Sequence, residues 1–309
     1  MRRQYLRIAM ALSCLSWPAA AGTIYGVKSL APGGFEISIP PAILFAFLDN
    51  GSPSVSAIGH ITRDSAEIDV DGLALSRTHG LLGFQMTGND AAPTSALIAI
   101  NTATAAATAI GSTLTGRSMR GAMFDRQDRL WAVDAEANTL LRIDPTTGAV
   151  LSETAITVGG LPRDIDPVTD LAQRSDGSVI LTTYRAEALD FDGPTFYTLD
   201  LDTGVATEAF VDTTPDPFYP GIPVANSGLA AGDDAAPDLL FTLDGNGTDD
   251  LFQYVLPAYA RTTFVGNLYL GFAAGGGDLA SLAPLDVPEP MTLTLLGVGL
   301  AGLAAARRR

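Results

Sequence analysis

The sequence predicts an all-β fold, a ring of about five four-stranded blades forming a β-propeller, on three observations. A short apolar word recurs four times along the middle of the chain. Each copy is followed, after a polar turn, by a second apolar run, and each such pair is followed by another pair. Units of four short strands repeated at a steady period are the mark of a closed radial array, which hides the sheet edges that would otherwise aggregate.

The first pairs are Gly72–Leu75 with Leu81–Phe84, Gly121–Phe124 with Leu130–Val133, Asp170–Gln173 with Val179–Thr182, and Gly228–Ala231 with Leu239–Thr242. Polar turns such as Asp125-Arg126-Gln127-Asp128 and Ser175-Asp176-Gly177 separate the members, so each pair reads as a hairpin. The second pairs run from Ala99–Asn101 to Ala109–Gly111, from Arg142–Gly148 to Val150–Ser152, from Thr198–Gly204 to Glu208–Phe210, and from Gln253–Val255 to Phe264–Gly266. Two of these turns open on an aspartate, Asp144 or Asp200, and close on a glycine that can adopt positive φ.

The chain ends supply a fifth unit. Thr23–Val27 matches a second strand, Ile43–Asp49 a third and Val55–Gly59 a fourth, while Gly271–Ala274 resembles a first strand. Closure by N- and C-terminal strands is therefore expected, with six blades (an irregular one within Lys28–Pro41) or a β-sandwich as alternatives. The repeat resembles the blades of many exported propellers, and that likeness implies neither ligand nor reaction.

The two ends of the chain differ in character from this body. Arg2, Arg3 and Arg7 precede the apolar run Ile8–Trp17 and the small residues Ala19, Ala20 and Ala21, which predicts a secretory signal peptide over residues 1–21 with signal-peptidase cleavage directed by Ala19 and Ala21. Cys14 raises a lipoprotein alternative, but Leu12 stands one place too late for the usual lipobox. Cys14 is the only cysteine, so the mature chain folds in an oxidising compartment without disulfides.

At the other end Val287, Pro288, Glu289 and Pro290 precede an uncharged run over 291–306 and the cluster Arg307, Arg308 and Arg309. The prolines keep the motif out of a helix. The uncharged run predicts a transmembrane helix of about 24 Å, a little short of a ~30 Å hydrocarbon core, and the terminal arginines can snorkel to the cytoplasmic headgroups and stop it there. Gly297, Gly299 and Gly302 spell a G-x-G-x-x-G pattern, but no strand precedes it and no chain follows to complete a nucleotide-binding unit.

This tail, 287–309, closely resembles the PEP-CTERM sorting tail. The resemblance implies export in a Gram-negative bacterium that makes exopolysaccharide, with signal peptidase and exosortase as processing partners. It also implies an inner-membrane-anchored precursor and delivery to the cell surface or extracellular matrix. It covers the tail alone and leaves the role of the propeller domain, 22–286, to its own residues.

Six of the 18 Lys and Arg lie in the leader and tail, so the stretch from Gly22 to Pro290 carries 12 basic against 34 acidic residues, a formal −22. Such a surface repels nucleic acid and disfavours acidic polysaccharide unless divalent cations bridge the two. Of the two histidines, His79 falls in a hairpin turn and His60 at a strand end, so both are expected to be solvated. No G-x-S-x-G, no H-E-x-x-H and no paired metal cysteines occur.

Asp244, Asn246, Thr248 and Asp250 have the alternate oxygen spacing of a calcium loop, although Asp249 stands where such a loop needs glycine and Val255 where it needs glutamate. A second acidic run, Asp64, Glu67, Asp69 and Asp71, leads into the first repeat. Trp131 is expected in a blade core, with Tyr184, Phe218 and Tyr219 as candidate carbohydrate contacts. Channel-facing repeat starts are read as Gly72, Gly121, Asp170 and Gly228, of which one can ligate a metal. The expectation is an exported propeller that binds or builds without catalysis and needs no cofactor, its partners being exopolysaccharide or matrix components. The alternative is a calcium-dependent propeller hydrolase or lactonase.

Overall fold

A computed structural model describes residues 22–28, 42–49, 54–89, 92–161, 168–183, 193–215, 226–233, 236–244, 250–265 and 277–282. These form five antiparallel sheets arranged as blades around one axis, and neighbouring blades meet through their innermost strands. The five-blade propeller is thus the architecture, not the sandwich, and the Lys28–Pro41 stretch lies almost wholly outside the described residues.

Blade 1 joins the ends of the chain: Gly277–Ala280 is innermost, followed outward by Thr23–Lys28, Ile43–Leu48 and Val55–His60. Thr23–Lys28 pairs with both neighbours, Tyr25 standing opposite Ala46 on one side and Ala280 on the other. The closing strand therefore comes from Gly277–Ala280; the expected Gly271–Ala274 lies outside the described residues. Blade 2 runs outward through Val70–Ser76, Gly80–Asn89 and Ala92–Ile100, whose outer edge is shared by the short strands Ala107–Ala109 and Leu114–Thr115.

Blade 3 is Met119–Phe124, Leu130–Asp134, Thr139–Ile143 and Val150–Ala155. Blade 4 is Val168–Gln173, Val179–Thr183, Thr195–Leu199 and Val205–Val211, with Thr157–Val158 added in parallel at its outer edge. Blade 5 is Asn226–Ala231, Leu239–Asp244, Leu251–Val255 and Ala260–Val265. Registers follow the repeat pairs, for example Phe124 opposite Leu130 and Gln173 opposite Val179.

Side chains alternate across each sheet, so every blade offers an apolar face to both neighbours. Five separate buried clusters result, one per joint. Val27, Val70 and Ile98 lie between blades 1 and 2; Phe84 and Leu141 between 2 and 3; Trp131 and Leu181 between 3 and 4. Phe196 and Tyr254 fill the fourth joint, and Phe45, Phe47 and Phe241 the fifth, between blades 5 and 1. Trp131 is a core residue, as its mid-strand position predicts, and its indole N–H donates to Asp125 at 2.8 Å.

Candidate functional site

The inner strands carry the same irregularity. In blades 2 to 5 the register slips at their start, between Asp71 and Ala74, Met119 and Gly121, Val168 and Asp170, and Asn226 and Gly228. A bulge of this kind removes residues from the ladder and bends the strand, freeing backbone groups to turn elsewhere. Here they turn to the axis. The residues after the repeat start, Leu73, Ala122, Leu171, Leu229 and Leu279, send five equivalent N–H groups towards one point.

Two aspartates meet them. Leu171 N–H donates to Asp170 Oδ1 at 2.7 Å and Leu229 N–H to Asp170 Oδ2 at 2.6 Å, with the Ala122 N–H bonded to the same carboxyl. Leu279 N–H donates to Asp278 Oδ1 at 2.9 Å, and Leu73 N–H donates to Asp278 Oδ2. The two carboxyls are also hydrogen-bonded to each other. Two of the other repeat starts are glycines because the pair needs their space: a Cβ on Gly121 would lie 2.5 Å from Asp170 Cα, and one on Gly228 would lie 2.7 Å from Asp278 Cα, whereas Gly72 is fixed by its φ of 61°.

Both carboxyls are fully removed from water. Burial pushes Asp170 up to about 7 against the pull of its N–H donors, while burial and then the charge of Asp170 push Asp278 well above the usual carboxylate range. Two like charges in contact cannot both persist in a dry site, so the pair keeps a shared proton near neutrality. Chemically the centre is a carboxylic acid–carboxylate pair whose oxygens are already accepting bonds. Beside it lies a small pocket of about 10 Å³, room for one water, lined by the inner strands of blades 1 to 5 through residues such as Leu73, Ala122, Leu171, Leu229 and Leu279.

The sequence reading identifies Asp170 as the one ligating repeat start. Asp278 is the correction: with the closing strand at Gly277–Ala280, a second carboxyl occupies an equivalent position. The signal is present in the sequence, since Asp278-Leu279-Ala280 repeats Asp170-Leu171-Ala172.

The other candidates fall elsewhere. Asp244 ends a blade 5 strand and Asp250, fully buried, precedes the next, whereas Asn246 and Thr248 lie outside the described residues. Among the described residues no group of three or more His, Cys, Asp and Glu side chains is placed to hold a metal ion. In the second acidic run, Asp64 sits in a turn at φ 54° and Asp69 is buried. His60 Nδ1 is 3.2 Å from Glu67 Oε1.

His79 is partly packed, its side chain remaining 24% exposed. Its ring stacks on Phe124 with centroids 5.8 Å apart, and its Nε2 lies 3.8 Å from Asp128, which also accepts the Ser76 hydroxyl at 2.6 Å. Tyr184, Phe218, Tyr219, Ala19, Ala21, Val287–Pro290 and Arg307–Arg309 lie outside the described residues, as does the expected helix over 291–306. Among the described residues no helix is long and apolar enough to cross a membrane.

Fold and sequence together define the class: an exported β-propeller. Residues 286–309 match the PEP-CTERM protein-sorting motif, which marks a protein processed by exosortase and membrane-anchored before cleavage in a Gram-negative bacterium. No curated protein matches the chain. Among solved structures, a candidate exo-beta-1,3-galactanase from Bifidobacterium bifidum is similar at TM-score 0.53 and 10% identity, over 81% of this chain and 90% of that one. Virginiamycin B lyase from Staphylococcus aureus gives 0.41 at 14% identity, over 78% and 70%. A chain of a nidogen/laminin complex gives 0.47 at 12% identity, over 84% and 98%. At such identities the likeness to the galactanase speaks for the fold alone.

Proposed function

We propose that the mature propeller is a non-catalytic binding or structural component, delivered by its tail to the cell surface or matrix. The observation that carries this reading is the axial pair. The channel centre, where a propeller can gather groups from every blade around one substrate, is taken up by two carboxyls that accept the blades' own N–H groups. Oxygens committed in this way support the ring and offer little to a substrate or a cation. The acidic surface disfavours direct contact with an anionic polymer, so the partner fitting it is a neutral or amino-bearing polysaccharide, or an acidic one bridged by divalent cations.

Two measurements test the reading. The purified exported protein should co-sediment with exopolysaccharide from the producing strain, and chelator should weaken that binding only if the polymer is acidic. Failure to bind any matrix fraction, together with calcium-dependent turnover of ester or lactone substrates, would favour the calcium-dependent hydrolase or lactonase instead. For the delivery step, replacing Pro288, Glu289 and Pro290 by alanine should hold the uncleaved protein in the inner membrane; unchanged release would exclude exosortase as the processing partner.

A further inference from the structure

A pocket of about 220 Å³ opens away from the axis, on the sheet face of blade 1 that carries Tyr25 and Val27 into the joint with blade 2. Three neighbouring strands build its wall. Thr23 comes from Thr23–Lys28, Ala46, Phe47 and Leu48 come from Ile43–Leu48, and Ser54 and Ser56 lie at the start of Val55–His60. The register explains the grouping. Thr23 stands opposite Leu48 and Ser56 opposite Ala46, and directly opposed residues share a face, so hydroxyl and alkyl groups lie side by side over one small patch.

A small residue opens the space. Ala46 stands opposite Tyr25, and the same place in blades 3, 4 and 5 is taken by Arg142 opposite Trp131, Thr198 opposite Ile180 and Gln253 opposite Phe241. Alanine leaves unfilled the volume that a larger polar side chain occupies in those blades. Leu48, 41% exposed, and the exposed Ser54 and Ser56 form the rim.

The lining defines what fits. Among the described residues of the wall none is charged, on a body that carries 12 basic against 34 acidic residues. Such a body repels anions, and the wall offers a cation no carboxylate. A purely apolar ligand would strip water from the hydroxyls of Thr23, Ser54 and Ser56, which hydrogen-bond no other described residue, and would give nothing back. A hydroxyl both donates and accepts, so the complement is an uncharged molecule presenting C–H and O–H groups together. At ~30 Å³ per water the volume is that of about seven waters, which suits a single ring. We propose that this pocket is a subsite for one uncharged pyranose unit of a polysaccharide. It rests on the reading of the protein as a matrix-binding component, and it places the contact on the flank of blade 1, away from the occupied axis.

The test uses the full exported chain in a detergent without a sugar headgroup. The probes are methyl glycosides of neutral hexoses and 6-deoxyhexoses, with methyl glucuronide as the charged control, read by saturation-transfer NMR. Neutral glycosides should receive saturation and the glucuronide about fivefold less. Ala46→Gln sets the blade 5 residue in the equivalent place, so it fills the pocket with a side chain that the sheet accommodates; it should cut the transfer about tenfold and weaken binding to the producing strain's exopolysaccharide by a similar factor. Ser54→Ala combined with Ser56→Ala removes two hydroxyls without filling the space and should also cost about tenfold. No transfer to any neutral glycoside, equal transfer to the glucuronide, or equal transfer in the parent and both variants would overturn the subsite; unchanged co-sedimentation of the variants with polymer would then leave the matrix-binding reading standing. Transfer that the variants abolish, in a protein that binds no polymer, would support the pocket as a sugar site and overturn the matrix-binding reading instead.

Discussion

Aspartates at the axis and at the rim of this propeller perform the same task with opposite electrostatic outcomes. At the rim Asp144 accepts the Thr146 N–H at 2.8 Å, the Thr146 hydroxyl at 2.7 Å and the Thr147 N–H at 3.2 Å, and Asp200 accepts the Asp202 and Thr203 N–H groups at 2.9 and 3.0 Å. Those bonds hold both carboxyls below their ordinary range, led at Asp144 by the Thr146 hydroxyl and at Asp200 by the Thr203 N–H. At the axis a similar set of donors cannot prevent a rise, because burial dominates. Hydration, more than the number of donors, decides the sign.

The largest expected break of this contrast is Asp170→Ala. It strands three inward N–H groups and leaves Asp278 without its partner, a loss of about 3–5 kcal/mol and a fall in Tm of roughly 10 °C, measurable by calorimetry or circular dichroism. Next comes Gly121→Ala, whose methyl would push into the Asp170 backbone and should cost about 1–3 kcal/mol.

The pH response separates the two regions further. An unfolded Asp loses its proton near 3.9, but the axial pair retains one, so its contribution is complete below about pH 4 and is lost as pH rises through Asp170's value of about 7. Tm should therefore fall between pH 5 and pH 8. Asp278→Asn, whose amide mimics the protonated acid, should flatten that fall by half or more; an unaltered slope would place the titration elsewhere. The smallest effect belongs to Asp144→Ala, with the opposite sign. The depressed rim carboxyl stabilises above the unfolded value and ceases to do so as pH falls through its folded one, so mutant and parent should differ slightly at pH 7 and converge in acid.

Legibility in the sequence followed the same division. The rim turns were readable because Asp, Thr and Gly at fixed spacing specify a local Asx turn, and the hairpins were readable because period-two apolar runs specify both face and register. The axis depends on groups far apart in sequence: the Leu73 N–H and the Asp278 carboxyl are 205 residues apart. Placing the last strand at Gly271–Ala274 was enough to conceal half of the pair. The outer strand Thr157–Val158 was not foreseen either, since two residues carry no period, and the stacking of His79 on Phe124 is hidden because nothing local reveals a ring of the next blade.

The strand Gly277–Ala280 supplies both the innermost wall of blade 1 and one of the two axial carboxyls. Nearly the whole domain must be synthesised before that strand is available. Until then blade 1 lacks its centre and Asp170 has no acid to share a proton with. An arrangement that withholds its closing piece to the end makes ring closure the longest-range step of folding. Placing the closure at the C-terminal side thus ties locking of the ring to contacts between the two ends of the domain.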